Sequence, residues 1–126
     1  MLKFLTPLSL ACFSQLVAGE WPDFSDHQQF QKELDGKYFE INEGFEKLRH
    51  VLLHLVKTTG KIAAYCECKE HGKEGDVDPI TDEALPDLVM HALQIANLFE
   101  VDLGEKYADR VNFIIRRAER GEGFSR

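Results

Sequence analysis

Cysteine is scarce in this chain. Three cysteines in 126 residues are too few to staple a small fold. Cys66 and Cys68 lie two apart in a helical stretch, so their side chains diverge by about 200°. That excludes a disulfide between them and spreads the ligands of the Cys-x-Cys-x-x-His reading of CECKEH. Long apolar runs are missing too, since no segment approaches the roughly 18 unbroken apolar residues of a membrane span. Basic charge is in deficit: 15 Lys and Arg against 22 Asp and Glu leave a net charge of −7. A phosphate-backbone partner needs a basic face, so nucleic acid is excluded as the main partner. No Walker or Rossmann phosphate loop occurs, because HGKEGD has no strand before it. No Ser/His/Asp or Cys/His arrangement stands out, and there is no convincing strand, internal repeat or low-complexity segment.

What is present is helical periodicity. The length suits a single domain. Composition, at 44% apolar and 29% charged, is that of an ordinary folded chain. The pattern predicts a helix over 6–19, a loop with a short turn over 20–41, a long helix over 43–70 and a loop over 71–81. Helices over 82–99 and 102–120 and a polar tail over 121–126 complete it. The segment MLKFLTPLSLACFSQLVAGE has one basic residue, an apolar run and small residues at its end, so it can be read as a secretory signal. Thr6-Pro7 is equally a good N-cap and first helical position, followed by Leu10, Phe13, Leu16 and Val17 at helical spacing. The helix reading is preferred and goes with a cytoplasmic protein; the signal reading would make it secreted. Asp35-Gly36 reads as a turn, Asn42 as the N-cap of the long helix and Asp102 as the cap of the last.

Two helices carry polar seams in apolar surroundings. His50, His54, Thr58 and Lys61 share one face of the long helix, among Val51, Leu52, Leu55, Val56 and Ile62. Asp87, His91 and Gln94 share a face of the next. Burying an unpaired polar group costs about 1–3 kcal/mol, so the two seams are expected to face each other on antiparallel helices. The near-continuous apolar surface of residues 84–99 predicts a central helix or a partner surface.

The pattern HLVKTTGKIAAY followed by DEALPDLVMHALQIANLFEVDLGEKYADRVN resembles the MazG-like nucleoside triphosphate pyrophosphohydrolases, an all-α family. Gly60, Asp87, ANLFEVDL and Asn112 carry the likeness, and LTPLSLACFSQLVAGEW resembles the family's first helix. The resemblance implies an all-α four- to five-helix bundle, a homo-oligomer, a nucleotide partner and no membrane. It also implies four carboxylates, from Glu-x-x-Glu and Glu-x-x-Asp, that bind Mg2+, hold the triphosphate and activate a water. Aligned on Gly60, those positions are Thr58, Lys61, Ala84 and Asp87, with Glu83 one residue away; only Asp87 is acidic. Asn112 matches a phosphate-contacting Asn, whereas the family's lysine one turn earlier is Ala108.

Several readings of the seams follow. In one, Lys61 stands where the cation would sit and neutralises Asp87, giving a degenerate binding or interaction protein with no cofactor. In another, the chain is an active pyrophosphohydrolase that converts a nucleoside or deoxynucleoside triphosphate to its monophosphate and pyrophosphate with a divalent metal. A third makes His50, His54, Asp87 and His91 a nitrogen-rich transition-metal site, and a fourth uses Glu67 and Glu70 with Glu83 and Asp87 as a displaced acidic set. For Arg110, Arg116, Arg117, Trp21 and Phe24, solvated or packing roles are the simplest account.

Overall fold

The computed structural model describes residues 23–39 and 41–122. They are helical, with no strand among the described residues. The elements are α1 (Ser25–Tyr38), α2 (Phe45–Glu70), a π-helical stretch (Pro79–Ala84), α3 (Leu85–Leu98) and α4 (Leu103–Glu119). The helix expected over 6–19, and Trp21, lie outside the described residues. No described helix is long and apolar enough to cross a membrane. The chain divides into two compact units, Asp26–Val101 and the pair of segments Met1–Ser25 with Asp102–Arg126.

In the first unit, α1 corrects the expectation of a loop and turn over 20–41. Asp23 starts the helix: its Oδ1 accepts the backbone N–H of Ser25 at 2.8 Å. Hydrogen bonds from Ser25 hold the Asp23 carboxyl below its ordinary range. The helix then runs through Asp35-Gly36, where the sequence suggests a turn. The deciding contacts are tertiary: Asp35 is buried and bonded to Gln31 one turn back and to Gln94 on α3. Gln28 also fastens α1 to the far end of α3, donating to the Val101 carbonyl at 2.9 Å, while Asn97 Nδ2 donates to the Gln28 carbonyl at 2.9 Å.

Helix α2 has no proline and a single glycine over 26 residues. Its N-cap is Gly44 at φ 83°, not Asn42. Asn42 instead donates to Glu46 Oε2 at 2.8 Å. At the other end Gly72, at φ 68°, supplies the left-handed residue that lets Lys73 N–H reach back to the Cys68 carbonyl at 2.9 Å, a Schellman closure. Helix α3 closes in the same way through Val101 N–H and the Ala96 carbonyl at 3.0 Å, but Glu100 occupies the left-handed position, at φ 53°.

The loop expected over 71–81 ends early, because the π-helical stretch begins at Pro79. Leu85 N–H bonds the Ile80 carbonyl, and Pro86 lies in the first turn of α3. Proline has no N–H to continue a tighter ladder, which suits a widened turn just before it. Helices α2 and α3 run antiparallel: Lys61 meets Glu83, and Thr58 meets His91. Among the described residues the buried apolar set is small, with Val51, Ala84, Leu93 and Ala96 in this unit.

In the second unit, α4 is capped by Asp102, whose side chain accepts the Glu105 N–H at 3.1 Å. Phe24 meets Tyr107 edge-on at 6.4 Å. The guanidiniums of Arg110 and Arg117 flank the Phe113 ring, a cation–π arrangement. Arg117 also pairs with Glu122 at 3.5 Å, while Arg116 is exposed in the last turn.

Candidate functional site

A cavity of about 230 Å3 opens within the first unit, lined by residues of α1, α2, α3 and the segment joining α1 to α2. From α2 come Lys47, His50, Val51, His54, Lys57, Thr58 and Lys61. These positions recur every three or four residues, so one face of a single helix supplies them. From α3 come Asp87, Met90, His91 and Gln94. The two polar seams therefore line one cavity. Its remaining wall includes Gln31, Leu34 and Asp35 on α1, then Phe39 and Ile41.

A hydrogen-bonded chain runs along the buried side. Thr58 Oγ1 lies 3.2 Å from His91 Nε2, His91 Nδ1 lies 3.3 Å from Gln94 Oε1, and Gln94 Nε2 donates to Asp35 Oδ1 at 3.0 Å. The direction of donation follows from the last member. A carboxylate only accepts, so Gln94 must present its NH2 to Asp35 and its carbonyl to His91. The neutral His91 ring then carries its proton on Nδ1 and accepts the Thr58 hydroxyl proton at Nε2. Gln31 Nε2 donates to the same Asp35 Oδ1 at 2.8 Å. The second oxygen, Oδ2, is buried without a hydrogen bond. Lys47 Nζ lies 3.7 Å from it, within reach of charge attraction but beyond hydrogen-bond distance.

Thr58, His91 and Gln94 have the order of a nucleophile, a base and an orienting group. Thr58 is 3% exposed, and its hydroxyl is held by His91 Nε2 at 3.2 Å. The chain of bonds satisfies buried polar groups on α1, α2 and α3.

Lys57, Lys61 and Asp87 bring charge to the cavity lining. Lys61 Nζ lies 2.6 Å from Glu83 Oε2, which corrects the expectation that Lys61 faces Asp87. Glu83 sits one helical turn before Asp87, where an α2 side chain reaches it more directly. The Lys61 hydrogen bond and charge, with a smaller contribution from Lys57, hold the Glu83 carboxyl below its ordinary range. Asp87 lines the cavity and makes no hydrogen bond or ion pair with another described residue. Lys57 likewise makes no ion pair within 4 Å among the described residues.

The other predicted positions are less assembled. The His50 and His54 rings lie tilted at 54° with centroids 4.5 Å apart, and the His54 ring lies 6.4 Å from that of His91. No group of three or more His, Cys, Asp or Glu side chains among the described residues converges at metal-holding distance. Glu67 and Glu70 are exposed and do not line the cavity. Cys66 and Cys68 are free thiols. Asn112 is on α4, in the second unit, and is not a lining residue. Among the polar lining residues, the seams named from the sequence left out Gln31, Asp35, Lys47 and Lys57. For the first two the signal was a Gln and an Asp at i, i+4 in α1, obscured by the glycine after Asp35.

The residues present do not make a magnesium site at the positions that the resemblance names. Thr58 spends its hydroxyl on His91, Ala84 is wholly buried, and Lys61 puts an ammonium at the rim beside Glu83. Mg2+ takes octahedral oxygen ligands, including one or two carboxylates, and an adjacent ammonium opposes it. No family model, curated protein or solved structure matches the chain.

Proposed function

We propose that this chain is a degenerate MazG-like helical protein, one that binds a small anionic ligand of nucleotide type without metal-dependent hydrolysis. The observation that carries the reading is the Lys61–Glu83 pair at 2.6 Å. It lies on the turn where the resemblance expects metal-binding carboxylates. A lysine there supplies fixed positive charge, and a divalent ion at the same place would be repelled. Charge around the cavity is close to balanced, so an anion would be held locally at Lys57 rather than by an excess of positive charge. Lys47 is matched by Asp35 and Glu43, and Lys61 by Glu83, which leaves one lining cation, Lys57, and one lining carboxylate, Asp87, without an ion pair among the described residues. The adjacent imidazoles of His50 and His54 add donors. Phe39, Leu34 and Met90 offer apolar wall for an organic group, the mixture usual in small-molecule sites.

The test is calorimetric titration of purified full-length protein with nucleoside mono- and triphosphates, with and without Mg2+ or Mn2+, together with an assay for released pyrophosphate. The expected result is nucleotide binding whose affinity does not depend on the metal, weakened about tenfold by Lys57→Ala, and no pyrophosphate. Metal-dependent pyrophosphate release by the unmodified protein would overturn this reading in favour of the active pyrophosphohydrolase. Absence of any nucleotide heat would remove the ligand and leave an interaction protein.

A further inference from the structure

Two opposite charges are left over in the cavity. Lys57 and Asp87 both line it, and neither makes an ion pair with the other or with another described residue. The lining cations Lys47 and Lys61 are already engaged, the first by Asp35 and Glu43, the second by Glu83. A ligand that satisfies the cavity therefore brings an anionic group for Lys57 and hydrogen-bond donors for Asp87, whose ionised carboxylate only accepts.

The register of the helices sets the distance between these two demands. Thr58 meets His91 and Lys61 meets Glu83. Asp87 lies midway in sequence between Glu83 and His91, so it stands level with the stretch of α2 between Thr58 and Lys61. The donors for an anion run the other way. Lys57, His54 and His50 line the cavity in that order toward the N-terminal end of α2. From the level of Asp87 to His54 is about 8 Å along the axis, at about 1.5 Å per residue. That is roughly the reach of a mononucleotide from base edge to phosphate. A triphosphate would extend further along α2 toward Asp35, a buried carboxylate whose Oδ2 has no hydrogen bond. The cation beside it, Lys47, is already shared with Glu43. Without a metal, the added negative charge meets no free cation.

The donor end follows from the carboxylate, and here the inference rests on the nucleotide-type reading given above. Two parallel N–H groups match a carboxylate best. Among the common bases only guanine presents such a pair, from N1–H and its exocyclic amine. Adenine and cytosine set an acceptor beside their amine, and uracil and thymine flank one N–H with two carbonyls. We infer that Asp87 is a specificity-determining residue for a guanine nucleotide with a single phosphate, the base edge on Asp87 and the phosphate at Lys57 and His54.

The test is calorimetric titration of the full-length protein, without metal, with guanosine monophosphate, inosine monophosphate and guanosine triphosphate. Inosine monophosphate differs from the first only by the missing exocyclic amine. Guanosine monophosphate is expected to bind about tenfold more tightly than inosine monophosphate, and more tightly than the triphosphate. Asp87→Asn presents one donor and one acceptor, which match the O6 and N1–H that both bases carry. The variant should bind the two monophosphates alike, and inosine monophosphate at least as tightly as the wild type does. That retained affinity shows the variant to be folded, and the wild-type comparison stands without it. Equal binding of the two monophosphates by the wild type overturns the inference and leaves the anion site in place, as does a guanine preference that persists in Asp87→Asn. Binding strengthened by Mg2+ in the wild type but not in Asp87→Asn would make Asp87 a metal ligand instead. No heat from any of the three nucleotides removes the nucleotide reading itself, and this inference with it.

Discussion

Removing the Asp35 carboxylate tests the buried hydrogen-bonded chain most directly. Asp35 is 3% exposed, and its Oδ1 accepts from Gln31 and Gln94. Asp35→Ala strands both amides. A buried donor left unsatisfied costs about 1–3 kcal/mol. Gln31 is buried and carries a full share of that cost. Gln94 is half-buried beside a polar cavity roomy enough for water, so its share is at the low end. Lys47 keeps Glu43 at 3.2 Å and is not left as an isolated buried charge. The sum is about 2–4 kcal/mol. Asp35→Asn keeps one carbonyl for the two amides and should cost about 1 kcal/mol.

Urea unfolding of the three proteins gives these differences, with unchanged m-values showing that the unfolded state is the same. A double-mutant cycle of Asp35→Ala with Gln94→Ala should show coupling above about 1 kcal/mol, because the pair shares one network. The effect should reach His91 as well. With Gln94 released, the ring loses the acceptor that keeps its proton on Nδ1, and nitrogen NMR shifts should report a mixed tautomer. An Asp35→Ala protein within about 0.5 kcal/mol of the wild type, or an additive cycle, would mean that water already solvates this carboxylate and that the chain holds nothing.

Three further outcomes are expected. Lys57→Glu with Lys61→Glu adds two carboxylates one turn apart near Glu83 and Asp87; the metal-free variant should melt below the wild type, and Mg2+ or Mn2+ should raise its melting temperature, by the equivalent of about 2.7 kcal/mol at a hundredfold excess over Kd, while leaving the wild type unmoved. Glu83 should titrate below the ordinary glutamate range in carbon NMR, and Lys61→Met should return it there. Its folded pKa is lowered, so the pair's stabilisation is present above the unfolded glutamate pKa and is lost as pH falls through the folded value. Glu100→Gly should stabilise the protein by about 1 kcal/mol, since Glu100 holds a left-handed φ of 53° that an L side chain resists; a loss of stability in urea unfolding would show that the Glu100 side chain makes a compensating contact.

Helix type and facing were properties of the sequence alone. The spacing of His50, His54, Thr58 and Lys61, and of Asp87, His91 and Gln94, follows from 3.6 residues per turn, and buried polar groups need partners, so facing seams on antiparallel helices were readable before any coordinates. The cap at Asp102 was readable for the same local reason. Tertiary structure decided the rest. Asp35-Gly36 has the local chemistry of a turn, and only Gln94, 59 positions away, makes it worth continuing α1 through that pair. Lys61 had two carboxylates within one turn of α3, and the register of the helices selected Glu83. That Phe45, Leu52 and Val56 are exposed while Val51 and Thr58 are buried is also a fact of packing. Periodicity shows that a helix has faces, but only its neighbours determine which face they cover.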